Sequence, residues 1–344
     1  MKGMKNMKQG IYLAFVYIGL VIGAGFASGR EIMQYFNFPS NTYHGGIVLA
    51  TFLLIAICYI ILNRCYNYGI STFNEYLSLI AGKAAAPVRL LMFLYLFCGF
   101  FTMLSGSGAL LTQGFMLPPV AGVLLMFIIC FAVLSFDLRG IIAVNMILVP
   151  CMIFGIIYIC FSAAMFGSAD AFSLKGISRG TAVSAICYVS YNTISAPTVL
   201  VPLQKGISYK GLRIASVLGG FVLGILILTI WAVQSMHFDA LWNSEIPMLK
   251  LAAMTGRFNK YIYSAVLFMS ICTTAVSQGF GILEYFSPST SFRRVLYSFI
   301  LCTVAFPFAL IDFSALVKWI YYFFGITGIL WIAWIFIDYF RRPM

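Results

Sequence analysis

The chain has 344 residues, of which 62% are hydrophobic and 9% charged, and its mean hydropathy is +1.00. A soluble core cannot absorb that much apolar surface at this length, so a soluble domain is excluded and a bilayer is the solvent. The net charge of +12 does not indicate nucleic acid, because the charges punctuate the ends of apolar runs and form no basic face with interleaved aromatics.

The chain opens with Lys2, Lys5 and Lys8 ahead of a long apolar run. That run is too long for a signal peptide and lacks a small-x-small cleavage site, so it reads as a retained first helix. Apolar runs broken by Gly, Pro, Asn or charge then predict about ten transmembrane helices. They cover 10–36, 45–63, 88–113, 118–136, 140–163, 181–204, 211–236, 260–284, 292–310 and 314–340. The expected fold is an all-α polytopic membrane protein forming one transmembrane domain over 1–344. The nine cysteines lie in or beside apolar runs without CxxC spacing and read as small hydrophobes rather than disulfides or metal ligands.

Lys and Arg sit unevenly in alternate loops, fourteen on the side that holds both termini and seven on the other. The positive-inside rule then places both termini in the cytoplasm of a cell membrane protein. Two connections exceed a turn. Residues 66–87 carry Phe73, Tyr76, Leu77 and Ile80 at helical spacing, which predicts a cytoplasmic helix in the membrane interface. Residues 237–259 contain a short amphipathic helix at 246–254 on the outer side. Either helix can simply cover helix ends, and the outer one can also serve as a lid.

The first span holds four glycines in eleven residues, Gly19, Gly23, Gly25 and Gly29, with Ser28, Arg30 and Glu31 close behind. In hydrocarbon a helix opens at mid-depth only where it lines a cavity, and glycine tolerates the opened backbone. The alternative is that these small residues only let helices pack closely. The sixth span carries Ser190, Tyr191, Asn192, Thr193 and Ser195 before Pro197. Polar groups at mid-depth are costly unless they are paired or face a cavity, and Pro197 removes an N–H and frees a carbonyl near Thr193. A plain proline kink with hydroxyls bonded back to the helix is the competing reading. Spans one and six are five apart and enter from opposite faces. That predicts a 5+5 inverted repeat, about 10–163 and about 181–340, with broken helices 1 and 6, the architecture of alternating-access transporters.

Gly23 through Glu31, with Ser190-Tyr191-Asn192 and Thr273-Thr274-Ala275-Val276, resembles the YkvI family of bacterial membrane proteins. More distantly the chain resembles the amino acid–polyamine–organocation superfamily, with the 5+5 fold of the leucine and neurotransmitter:sodium symporters. The resemblance implies that Gly19-Leu20-Val21-Ile22-Gly23-Ala24-Gly25 matches a Gly-x-x-x-Gly-x-Gly motif. It places the carbonyls of Gly19 and Ile22 on a sodium ion, and Gly23 with the amides of Ala24 and Gly25 on a substrate carboxylate. A half-helix N-terminus near Gly25, with unpaired N–H groups and a positive dipole end, agrees with that role. Ser190, Tyr191, Asn192 and Thr193 would complete the substrate site from span six. The ion's remaining ligands would be Ser270, Thr273 and Thr274, which share one face of span eight. Ordinary Ser and Thr packing is the alternative there. Span five has no Lys or Arg to act as a fixed cation.

Phe26 replaces the asparagine of the neurotransmitter-type motif, and the span-three tyrosine of those symporters has three candidates, Tyr95, Phe101 and Thr102. Arg30 and Glu31 read either as an extracellular gate or as interfacial anchors paired with each other and with Asp312. No intramembrane Asp or Glu is expected at the pocket. Tyr188, Tyr191, Phe26 and Phe280 would give it an apolar or aromatic lining suited to a neutral solute. The expected function is a cation-coupled, sodium-favouring secondary transporter of a small amino acid-like solute or related amine or carboxylate. No cofactor is expected beyond that ion, and no nucleic-acid partner. A proton-coupled or uniporting carrier and a ligand sensor on the same scaffold are the alternatives. No His-Glu-x-x-His, Gly-x-Ser-x-Gly or Walker loop points to an enzyme, and His44 and His237 fall at loop positions.

Overall fold

A computed structural model describes residues 2–38, 41–42, 45–166, 179–244, 246–286 and 290–341. His44 lies outside the described residues, and so do Lys175 and Arg342, two of the twenty-one Lys and Arg counted by side above. The first expected span is three helices, α1 (Lys2–Val21), α2 (Ala24–Ser28) and α3 (Arg30–Phe36). Next come α4 (Gly45–Tyr68), α5 (Phe73–Ala81), α6 (Ala85–Phe115), α7 (Pro119–Leu134) and α8 (Asp137–Ala164). The second half holds α9 (Arg179–Thr193), α10 (Ala196–Leu203), α11 (Tyr209–Met236), α12 (Phe238–Leu241) and α13 (Pro247–Thr255). It ends with α14 (Arg257–Phe286), α15 (Ser291–Ala309) and α16 (Phe313–Arg341). A two-residue antiparallel pair, Asn37–Phe38 with Asn41–Thr42, is a small exception to the all-α expectation.

Each of the ten expected spans coincides with a helix or a broken series of helices. Among the described residues, length and hydropathy alone mark six stretches as able to cross a membrane, with Met7–Val21 and Pro119–Leu134 as shorter apolar helices. Satisfying the backbone inside each segment is what hydrocarbon demands, and helices do so. The helix α14 is the centre of the bundle: 89% of its most apolar window is buried inside the protein, against 28% for α8. It packs on α6, α8, α7, α2 and α1, while α1 packs on α11 and α11 on α4.

The helix α5 forms where expected, opened by a capping box in which Thr72 Oγ1 accepts from Glu75 N and Glu75 Oε2 accepts from Thr72 N. Its apolar face is turned into the protein rather than into lipid: Phe73, Tyr76, Leu77 and Ile80 are buried, and the helix packs on α6 and α10. It therefore covers helix ends. The outer amphipathic segment is α13, packed on α14, α8 and α2. Two of the loop charges are also not loop charges. Arg64 is 1% exposed and ion-paired to Asp338 at 3.2 Å, and buried Arg294 donates to Leu134 O. All nine cysteines are free.

Candidate functional site

The first break falls at Ile22 and Gly23. Ile22 N still donates to Ile18 O, but Gly23 N turns back to Val21 O, and Gly23 is extended at φ −89°, ψ −173°. The short helix α2 restarts there, with Ala27 N donating to Gly23 O, so the amides of Ala24, Gly25 and Phe26 sit in a first turn that offers no intrahelical acceptors. Across the break stands α14. Thr274 Oγ1 lies 3.4 Å from Ile22 O, and a Cβ on Gly23 would sit 3.3 Å from the same hydroxyl oxygen. Glycine here lets the hydroxyl approach the opened backbone. A second interruption follows at Gly29, whose φ of +74° is left-handed and favours glycine.

The second break is Ile194-Ser195, between α9 and α10. Its polar groups are mostly satisfied locally: Asn192 Nδ2 donates to Tyr188 O, Thr193 Oγ1 to Val189 O and Thr198 Oγ1 to Ser195 O. Tyr95 of α6 reaches it from outside, its hydroxyl donating to Tyr191 O at 3.4 Å. Tyr95 is thus the span-three candidate with a hydrogen bond at the second break. Ser190 Oγ and Tyr188 Oη are buried without a hydrogen-bond partner among the described residues.

The five ion-site residues are brought together only in part. Ile22 and Thr274 face each other, and Thr273 Oγ1 donates to Ser270 O at 3.0 Å. Thr273 is turned toward α8, with Met152 Sδ 4.0 Å from its hydroxyl, and Ser270 Oγ donates to Leu267 O. Gly19 lies against Asn145 of α8. The Asn145 amide donates to Ile141 O, while its Oδ1 is buried and accepts nothing. Sequence reasoning passed over Asn145, although an asparagine inside the apolar run 140–163 is itself a signal.

Glu31 is the main correction. It is neither an anchor at the membrane surface nor turned to Arg30. Its side chain is buried on α3, 4% exposed, and Oε2 accepts from Asn192 Nδ2 at 3.2 Å. Arg30 points elsewhere, donating to Trp242 O at 2.9 Å and to Ser244 O at 3.4 Å. Asp312 caps α16 by accepting from Ala315 N. An intramembrane carboxylate therefore joins the two broken helices, against the expectation of none. The three polar residues after the glycines had placed Glu31 at the span's outer end. The αL turn at Gly29 re-aims α3 inward. Phe26 is buried beside the first break, but Phe280 lies under the Arg294 guanidinium, 5.5 Å from its ring centroid, and serves α15 instead of the pocket.

The two ends of this region differ. Toward the end away from the termini, Tyr263 Oη donates to Ala27 O, Gln234 Nε2 to Gly29 O at 2.8 Å and Ser184 Oγ to Tyr35 O at 2.6 Å. Those bonds hold α2 and α3 shut against α14, α11 and α9. At the end that holds the N-terminus, a cleft of about 350 Å³ opens between α1, α8 and α10, lined by Lys8, Tyr12, Val16, Ile142, Gln204 and Lys205 among others. The cleft thus runs beside one half of each broken helix and stops short of the breaks.

No family model matches the chain. The chain is 27% identical over 328 residues to YyaD of Bacillus subtilis strain 168, spanning 94% of each protein. It is 28% identical over 330 residues to the membrane protein YkvI of the same organism, spanning 93% of each. In structure it is similar to a Na+-coupled sialic acid symporter in a substrate-bound outward-open state, with a TM-score of 0.66 at 13% identity over 90% of this chain and 74% of that one. The nucleobase–cation symporter Mhp1, closed on bromovinylhydantoin, gives 0.56 at 15% identity, over 89% of this chain and 74% of that one. A manganese transporter of Eremococcus coleocola gives 0.52 at 12% identity, over 94% and 74%. At such identities the likeness establishes the fold and nothing finer. In sequence the chain is similar to the two Bacillus subtilis proteins over nearly its whole length, and its fold is similar to that of these three solved transporters.

Proposed function

We propose that the chain is a cation-coupled secondary transporter of a small amino acid-like solute, working by alternating access, with sodium as the coupling ion. One observation carries the reading: helices one and six are both interrupted within the bundle, and the Thr274 hydroxyl stands 3.4 Å from the carbonyl at the first interruption. Two hard oxygens that close, drawn from different helices, suit a small cation bound between them. The first-turn amides of Ala24 and Gly25 supply donors for a carboxylate, and Tyr191 and Asn192 flank the second interruption. The solved neighbours are transporters rather than enzymes, and one is Na+-coupled by its own description. The termini face the cytoplasm on this reading, so the 350 Å³ cleft is the inward vestibule.

The test is the melting temperature of detergent-purified protein in sodium chloride against choline chloride, with a panel of amino acids. A ligand bound only by the folded state raises it by mass action. Sodium and the right amino acid are expected to stabilise together, and Thr274→Val is expected to abolish the sodium-dependent part. Thr273→Val, turned toward α8, is expected to leave more of it. A shift with amino acid alone, equal in choline, would replace sodium coupling with proton coupling or uniport. Flux into reconstituted vesicles separates a carrier from a sensor.

A further inference from the structure

We propose that Glu31 binds the positively charged group of the transported solute, so that the substrate is an amine or an amino acid and not a carboxylate lacking nitrogen. The inference rests on the transporter reading above and narrows its substrate class. Glu31 is the carboxylate that bridges the two broken helices, held by Asn192 Nδ2 at 3.2 Å. It is 4% exposed, and carboxyl groups at such depth in a membrane protein are rare and mark functional sites.

The surroundings suit an ammonium group. Tyr35 stands one turn after Glu31 on α3, Tyr188 one turn before Asn192 on α9, and Tyr95 of α6 donates to Tyr191 O. The Tyr188 side chain is fully buried, and its hydroxyl has no hydrogen-bond partner among the described residues. Tyr35 and Phe36 meet the Tyr188 ring edge to face, with centroids 5.7 and 5.1 Å away. Aromatic faces beside a carboxylate attract a cation through the ring quadrupole as well as through the charge. Asn192 belongs to the second break, one residue before the end of α9, and Tyr95 reaches the same place from α6 by donating to Tyr191 O. On this proposal the solute's ammonium pairs with Glu31, and the first-turn amides of Ala24 and Gly25 remain the donors for a carboxylate.

The experiment measures melting-temperature shifts of the full chain in detergent with matched compounds. The sets are alanine, propionate and ethylamine; leucine, isocaproate and isoamylamine; and phenylalanine, hydrocinnamate and phenethylamine. Wild type, Glu31→Gln and Glu31→Asp are compared. The expected result is stabilisation by at least one amine-bearing member and none by its deaminated partner. Glu31→Gln is expected to weaken that response by about tenfold or more in apparent affinity while melting like wild type without ligand. Glu31→Asp keeps the charge and covers the case in which Glu31→Gln does not fold. Its affinity for the amine falls but its preference over the deaminated acid remains, whereas unchanged affinity overturns the assignment. Equal stabilisation by deaminated acids, or a full response in Glu31→Gln, overturns it as well. So does a Glu31 effect that appears only as a change in pH dependence, which would make the carboxylate a proton site. A wild type that answers to no compound, in sodium or in choline, overturns the transporter reading itself.

Discussion

The two breaks reach the same end by different physics. At the first, a glycine is extended at ψ −173° and the chain leaves helical geometry outright. At the second, Ser195 stays near-helical at φ −84°, ψ −8°, and the interruption is a tightened turn before Pro197. The second break is satisfied mostly from within, with Asn192, Thr193 and Thr198 bonding to their own stretch of chain, while Glu31 and Tyr95 reach it from other helices. The first is held open by its neighbours: Thr274 at Ile22, Tyr263 at Ala27 and Gln234 at Gly29. A break made by glycine has no side chains with which to satisfy itself, so other elements must supply the partners. That dependence lets the state of α11 and α14 be felt by α2 and α3, while α9 and α10 carry their own kink.

Gly29→Ala should break the first half of that contrast most severely. The residue has φ +74°, and a Cβ would overlap Gln234 Nε2 and lie 2.6 Å from Met248 Cγ. Left-handed strain and overpacking together should cost about 2–4 kcal/mol, read as a fall in melting temperature. A loss below ~0.5 kcal/mol would mean that α2 and α3 are not anchored there.

Tyr263→Phe tests the anchoring bond without changing shape. It strips the donor from the buried Ala27 carbonyl, and the expected loss is about 1–2 kcal/mol, with the outer half of helix one becoming more accessible to thiol probes at Ala27→Cys. An unchanged melting temperature would show that the first break holds without this neighbour.

The sequence disclosed this contrast unevenly, for physical reasons. Hydropathy located the long apolar helices because bilayer thickness sets their length, while four-residue α12 left no such mark, and the glycine cluster and Pro197 located both breaks because each acts on its own backbone. Thr274 was legible through its spacing on α14, and so was Tyr95 as one of three candidates. Glu31 was misplaced because depth along a straight helix is a poor guide once Gly29 turns the chain. Phe280 was assigned to the pocket because an aromatic beside the ion site carries no mark of which side it faces, and its neighbour Arg294 is close only in the fold. Asn145 needed the contact with Gly19 to show its direction. What remained hidden was in each case a relation between helices.

The smallest effects belong to the second break, and they differ in sign from those above. Pro197 is the second residue of α10, where it withholds the N–H that a continuous helix would give to Thr193 O. Because Ser195 is already near-helical, Pro197→Ala can supply that bond with little rearrangement. The expected result is a gain of about 0.5–1 kcal/mol, small because the wild-type turn already satisfies Ser195 O through Thr198 and because the more flexible alanine stabilises the unfolded chain. Flux should fall as the break heals, since a break that serves transport is kept at the expense of stability. Thr193→Val, which removes only a bond back to Val189 O, should change stability by less than ~0.5 kcal/mol and serves as the control. If Pro197→Ala instead destabilises by more than Tyr263→Phe, the second break also depends on its surroundings, and the two breaks are held by the same means after all.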